Sequence, residues 1–314
     1  MAQKHSQGFR FPLLLLVITF LLTGCLSRGP EVVNLRNLSP NYPGAAKQEV
    51  ASQKDKVLRV AAAPVISPRE NFQYYGDLLK YLAETTGYSV SLIQRPTYAE
   101  INNLMKAGEV DVAFVCTYSY IQGHDDFGME LLAAPEVGGA AEYRSYLIVP
   151  AQSQVRQLAD LKGKSFAFTD ILSTSGWLVP VFRLKEMGTT PEAFFRSTEF
   201  TYSHDNSIRA VAEGLVDGAM VDSIVFDTMV AQDPALGRKV KVVARSEAFA
   251  SPPVVVNPLL APELKGALKK YFLDLMDTER GRAILKRLEI DRFVPITDDK
   301  YNLVREMAKR VGER

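Results

Sequence analysis

From residue 57 onward the chain alternates between two hydrophobic periods. Val57–Ala63 (VLRVAAA) is a short, nearly continuous apolar run, as a strand buried on both faces requires. Leu78, Leu79 and Leu82 then recur at helical spacing within Tyr75–Glu84, and Gly87 offers a C-terminal stop. Tyr88–Ile93 alternates as a strand, Ala99–Lys106 reads as a helix closed by Gly108, and Asp111–Val115 is a further strand. A second series follows: strand Lys164–Phe168, helix Gly176–Met187, strand Glu199–Tyr202, helix Ile208–Leu215, strand Gly218–Val221 and helix Ser223–Ala231. Such alternation predicts α/β layers in which helices cover a largely parallel sheet.

Between the two series lies an extended stretch, Tyr143–Pro150. A matching one, Val240–Ala244 and on to Val254–Val256, leads back. One segment leaving and one returning predict two lobes joined by a two-strand hinge. Lobe 1 is expected to hold residues 57–149 and 243–314, and lobe 2 residues 150–242. Helices expected at Glu263–Asp277, Glu279–Leu288 and Lys300–Val311 would pack on lobe 1. The N-terminus follows another pattern. Lys4 and Arg10 precede the apolar stretch Phe11–Leu22, which is shorter than the ~20 residues of a membrane span and has the form of an export signal. It ends in Leu22-Thr23-Gly24-Cys25, which resembles a bacterial lipobox. Residues 1–25 are therefore read as a lipoprotein signal with Cys25 lipidated. Residues 26–56, with three prolines and several asparagines and lysines, have linker composition.

Composition narrows the function. Apolar residues make up 47% and charged residues 23%, with 37 Lys plus Arg against 36 Asp plus Glu. No basic field favours nucleic acid, so a charged ligand must be selected by local geometry. With Cys25 lipidated, the only other cysteine, Cys116, has no disulfide partner and reads as a small buried hydrophobe or, alternatively, a thiol lining a site. The three histidines, His5, His124 and His204, are scattered, so neither a metal nor a cofactor is expected.

The candidate chemistry sits where strands give way to helices. Ser173-Thr174-Ser175-Gly176 follows a strand and opens a helix. A helix start leaves ~4 amide groups unpaired and carries about half a positive charge, so it can hold an anion without lysine or arginine. One hydroxyl suffices for an N-cap, and three stand here. Gly176 would let backbone approach a ligand. Tyr202-Ser203-His204-Asp205-Asn206-Ser207 repeats the arrangement before the next helix. His204 can donate to an oxyanion, or else it is a surface histidine beside a Ser203 or Asp205 cap. In the first lobe, Tyr74 and Tyr75 precede a helix and Thr117-Tyr118-Ser119-Tyr120 follows a strand. Tyrosines so placed can wall a cleft or pack in the core.

The order YRSYLIVP…LADLKGKSFAFTDILSTSGWLVP…TYSHDNSIRAVAEGLVDGAMVDS resembles the phosphate/phosphite/phosphonate substrate-binding proteins of ABC transporters, from about Val57 to the C-terminus. The resemblance implies the type II periplasmic-binding-protein fold. It implies that Ser173, Thr174, Ser175 and His204 hold the oxygens of a small phosphorus oxyanion, with Asp205 beside them. Tyr75 and one of Tyr118 or Tyr120 would close over it. Asp222 would face its second substituent or a protonated oxygen, or else cap the helix that follows. Cys116-Thr117 stands where the family often has Gly-Pro, which leaves the ligand's identity open. The partners implied are an ABC permease and ATPase complex, with the binding protein a monomer anchored by lipid on the extracytoplasmic face. A sensory protein reporting the same ligand is the alternative reading. A Ser/His/Asp hydrolase is the weaker rival, because the serines lack the G-x-S-x-G setting. Mass spectrometry of the mature protein is expected to find a lipid-modified Cys25 at its N-terminus. An unmodified terminus further downstream would overturn the anchor.

Overall fold

The computed structural model describes residues 33–34 and 56–312. The expected signal, the lipidated Cys25 and nearly all of the expected linker lie outside the described residues. In chain order the elements of the first half are β1 (Val33–Asn34), β2 (Val57–Ala62), α1 (Pro68–Thr86), β3 (Ser89–Gln94), α2 (Tyr98–Lys106), β4 (Val112–Phe114), α3 (Thr117–Phe127), β5 (Glu130–Glu136) and β6 (Glu142–Pro150). There follow β7 (Ser165–Phe168), α4 (Val179–Glu186), α5 (Pro191–Phe194), β8 (Ser197–Phe200), α6 (His204–Ala212), β9 (Gly218–Asp222), α7 (Ser223–Gln232), α8 (Pro234–Lys239) and β10 (Val240–Ala250). The chain closes with β11 (Val254–Val256), α9 (Pro262–Leu273), α10 (Glu279–Arg287), β12 (Arg292–Val294) and α11 (Asn302–Val311).

The strands form two sheets, in the orders β1-β3-β2-β4-β11-β5-β12 and β10-β6-β9-β7-β8. Each contains a parallel triple, β3-β2-β4 in one and β8-β7-β9 in the other. The remaining pairings are antiparallel, so the sheets are mixed rather than largely parallel. In both, the central strand of the triple comes first in sequence and its carboxyl end opens into a helix. This is the topology that places ligands at strand ends.

β6 and β10 pair antiparallel from Val240 opposite Pro150 to Ala250 opposite Glu142, as the two extended segments predict. Both lie wholly in the five-stranded sheet, so residues 149/150 and 242/243 fall inside these strands. The chain passes between sheets through 137–141 and 251–253. There the Ser251 N–H donates to the Ala141 carbonyl at 3.0 Å.

Leu78, Leu79 and Leu82 of α1 are fully buried against Leu58, Val60 and Ala62 of β2, as the helical spacing requires. Burial of each such leucine contributes about 1.5–3 kcal/mol. A second apolar cluster runs through both lobes, joining Tyr98, Cys116 and Tyr118 to Tyr143, Phe166 and Phe168. The last helix, α11, packs on α4 and on α3, touching both halves.

Three helix starts differ from the sequence reading. α1 begins at Pro68, two turns early, because Pro in the first turn suits a helix start and the buried Asn71 side chain donates to the Ala63 and Ile66 carbonyls. Tyr74 and Tyr75 are therefore inside a helix. α3 occupies a segment whose TYSY opening carries no helical period, so Thr117–Tyr120, expected only to follow a strand, is the first turn of a helix. α6 opens at His204, which puts both His204 and Asp205 in its first turn.

Candidate functional site

Helix N-termini from both lobes meet in the gap. The amides of a first turn need acceptors, and here side chains of the opposite lobe supply them. Asp205 Oδ1 accepts the Ser67 N–H at the start of α1 at 2.9 Å, and Asp170 Oδ2 accepts the Tyr98 N–H at the start of α2 at 3.1 Å. Thr174 Oγ1 accepts the Tyr118 N–H in the first turn of α3 at 2.9 Å. In return the His204 N–H donates to the Val65 carbonyl at 2.9 Å.

The hydroxyl row divides its labour. Ser173 caps its own turn, its Oγ accepting the Gly176 N–H at 3.0 Å. Thr174 caps the other lobe. Ser175 Oγ has only a long contact, 3.5 Å, to His204 Nε2. All three are fully buried. The turn they open, Thr174–Leu178, is π-helical and runs into α4, a local widening often found at functional positions. Gly176 is close-packed: a Cβ there would lie 2.2 Å from Thr169 Oγ1 and 2.6 Å from Thr169 Cβ.

His204 is fully buried, which removes the surface-histidine reading. Its Nδ1 accepts the Asp222 N–H at 3.2 Å and lies 3.2 Å from the Thr169 hydroxyl. An imidazole that accepts at Nδ1 carries its proton on Nε2. That Nε2–H faces the Ser173 and Ser175 hydroxyls at 3.4 and 3.5 Å, well beyond the ~2.9 Å of a strong bond. Burial lowers the pKa of His204 to about 3, so the ring is a neutral donor. Asp222, buried beside it, caps α7 by accepting the Ile224 and Val225 amides on Oδ1 at 2.7 and 3.3 Å. Burial raises its pKa to about 7. No Lys or Arg bonds to these hydroxyls or to His204 among the described residues. Arg209 stays with Asp205 and Glu70, at 4.0 and 3.9 Å.

Two residues that sequence reasoning passed over complete the cluster. Tyr98 and Tyr143 are buried, and neither hydroxyl has a hydrogen-bond partner. Tyr143 lies beside Thr117 and Thr174 without reaching bonding geometry, and both rings are close to Cys116 and Asp222. Burial pushes both phenols well above their usual pKa, so both remain donors. Cys116 is buried at the start of α3, where its sulfur accepts the Thr174 N–H at 3.5 Å.

The first-lobe tyrosines named from sequence scatter. Tyr118 joins the site through its backbone, and its hydroxyl accepts from Gln122 at 3.0 Å. Tyr120 is directed elsewhere, its hydroxyl donating to Asp298 at 2.8 Å and its ring packed on Tyr301. Tyr75 stacks on Phe114, with ring centroids 4.4 Å apart. It lines a cavity of about 340 Å³ between the lobes, which Val115, Asp205 and Asp222 also border.

Two mixed α/β lobes, crossed twice by the chain and closing on buried helix N-termini, define a type II periplasmic binding protein. The family model for the periplasmic phosphonate substrate-binding proteins of ABC transporters matches residues 60–301, and the chain belongs to that family. It is 30% identical over 279 residues to the phosphate-import protein PhnD of Mycolicibacterium smegmatis, covering 82% of this chain and 86% of that one. A binding protein of a phosphonate ABC transporter from Pseudomonas aeruginosa superposes with a TM-score of 0.77 at 25% identity, over 82% of this chain and 87% of the other. PhnD1 of Prochlorococcus marinus, solved with methylphosphonate, gives 0.75 at 19% identity, over 82% and 99%. The chain is thus an extracytoplasmic substrate-binding protein and not an enzyme. The geometry agrees: Asp205 turns to Ser67 and not to the imidazole beside it, so no Ser–His–Asp relay forms.

Gly176→Ala is expected to cost about 1–3 kcal/mol by forcing Thr169 aside, read by urea unfolding; an unchanged midpoint would refute the packing account. The two buried titratable groups pull stability in opposite directions with pH. For His204 the folded value, about 3, lies below the ordinary 6.5. Its stabilisation is full above about pH 6.5 and is lost as pH falls towards 3. For Asp222 the folded value, about 7, lies above the ordinary 3.8, so its stabilisation is present at low pH and is lost as pH rises towards 7. Thermal unfolding between about pH 4 and 7 should therefore show His204→Gln gaining on the wild type as pH falls, and Asp222→Asn gaining as pH rises. Profiles parallel to the wild type would contradict both assignments.

Proposed function

We propose that this protein captures a phosphorus oxyanion of the phosphate, phosphite or phosphonate type between its lobes and presents it to an ABC permease and ATPase complex. The observation that carries this reading is a surplus of buried donors. The Tyr98 and Tyr143 hydroxyls have no acceptor, and the Nε2–H of His204 and the Ser175 hydroxyl have only long contacts. A dry donor without an acceptor costs ~1–3 kcal/mol, and several in one place call for a ligand that only accepts. A tetrahedral oxyanion supplies several acceptor oxygens at once.

In this reading Ser173, Thr174, Ser175, His204, Tyr98 and Tyr143 surround the oxygens, while Tyr75 and Asp222 border the fourth substituent. Asp205 acts on closure through Ser67. Lobe 1 carries the seven-stranded sheet and lobe 2 the five-stranded one, and the passages at 137–141 and 251–253 serve as the hinge. The hydrogen bonds across the gap, set beside the ligand's contacts to both lobes, favour a closed complex that the permease can recognise. A monomer tethered through Cys25 suits that task. The relatives named for phosphate import and for methylphosphonate binding support the ligand class.

Calorimetry with phosphate, phosphite and methylphosphonate tests it, with sulfate as control. At least one phosphorus acid is expected to bind, and Ser175→Ala and Tyr143→Phe should each weaken it by ~1.5–3 kcal/mol, the worth of a hydrogen bond to a charged group. Binding indifferent to both substitutions, or no binding at all, would remove the proposal.

A further inference from the structure

The donor cluster and the 340 Å³ cavity are neighbours with different chemistry. Asp222 joins them: its backbone N–H holds His204, and its side chain borders the cavity. Val115 does the same from the other lobe, bordering the cavity one residue before Cys116. Beyond these two residues the lining is mostly apolar, with Tyr75, Phe114, Ile224, Val225, Met229 and Phe293, and also includes Gln73, Thr228 and Gln232. The charged groups of the lining other than Asp222 are already matched. Glu70 and Asp205 flank Arg209, and Arg287 pairs with Asp77. The volume lies within the ~300–1,000 Å³ of small-molecule sites, which are apolar apart from a few placed polar groups. Inorganic phosphate or phosphite, held by the donors, would leave this apolar space to water.

We infer that the preferred ligand is an organophosphorus acid whose fourth substituent is an uncharged, apolar group of several carbons, seated in the cavity between Tyr75 and Phe114 on one side and α7 on the other. The inference rests on the anion site proposed above. Three oxygens of the acid meet the donors, and the remaining bond of the tetrahedral phosphorus leaves between Asp222 and Val115. An ammonium on the substituent would find only Asp222 as a carboxylate not already paired with a base, and that carboxylate gives one oxygen to the cap of α7.

The test is calorimetry of the full-length protein with phosphate, methylphosphonate, n-butylphosphonate, phenylphosphonate and 2-aminoethylphosphonate. Affinity is expected to rise roughly fourfold for each methylene buried, so butyl- and phenylphosphonate should bind well over tenfold more tightly than methylphosphonate. Thr228→Trp, which fills the cavity from α7, should narrow that ratio. Equal or weaker binding of the larger acids overturns the inference while leaving the anion site in place, as does tightest binding of the aminoethyl compound. A ratio unmoved by Thr228→Trp overturns the placement. Failure of every acid to bind removes the anion site itself and this inference with it.

Discussion

Amide groups at the start of a helix cannot be buried unpaired, and this constraint shapes the gap between the lobes. α1, α2 and α3 all point their amino ends into it, because each follows a parallel strand whose carboxyl end lies there. Asp205, Asp170 and Thr174 of the other lobe satisfy those amides. Closing the lobes therefore exchanges water for fixed acceptors at three helix starts, each cap of a kind worth about 1 kcal/mol. The same geometry brings the positive ends of helices from both sides around one small volume.

His204 shows how the constraint reaches the chemistry. A backbone amide at the end of β9 fixes its tautomer, and burial keeps it neutral. The ring then offers a single directed N–H. Asp222 supplies that amide and also caps α7, so one residue at the end of one strand sets the histidine, starts a helix and borders the cavity. Position at a strand terminus explains this concentration of roles, since backbone and side chain there face different elements.

Much of this was legible in the sequence. The strand–helix alternation gave the two α/β sheets, and the polar helix starts marked the segments that bury Ser173–Ser175 and His204; the paired extended segments lie together in one sheet and not at the passage between the two. Three kinds of information were not legible. Tyr98 and Tyr143 sit at positions whose pattern reads as core, and only a missing hydrogen-bond partner in three dimensions sets them apart. The side-chain direction of Tyr120 depends on Asp298, far away in sequence. Helix starts at Pro68 and Thr117 lack an apolar period that would mark them in the sequence. The close packing of Gly176 on Thr169 also needs the three-dimensional structure to be seen.

The absence of lysine and arginine from the donor cluster has a consequence for the medium in which such a protein works. Hydroxyls, an uncharged imidazole and backbone dipoles bring no counterions to be released when an anion arrives, and a chain of net charge +1 adds almost no long-range field. Dissolved ions screen separated charges over about 10 Å at 0.1 M, but they scarcely weaken short contacts in a dry pocket. Outside the cytoplasm, where salinity follows the surroundings, an oxyanion held in this way would depend less on ionic strength than one held by exposed lysines and arginines.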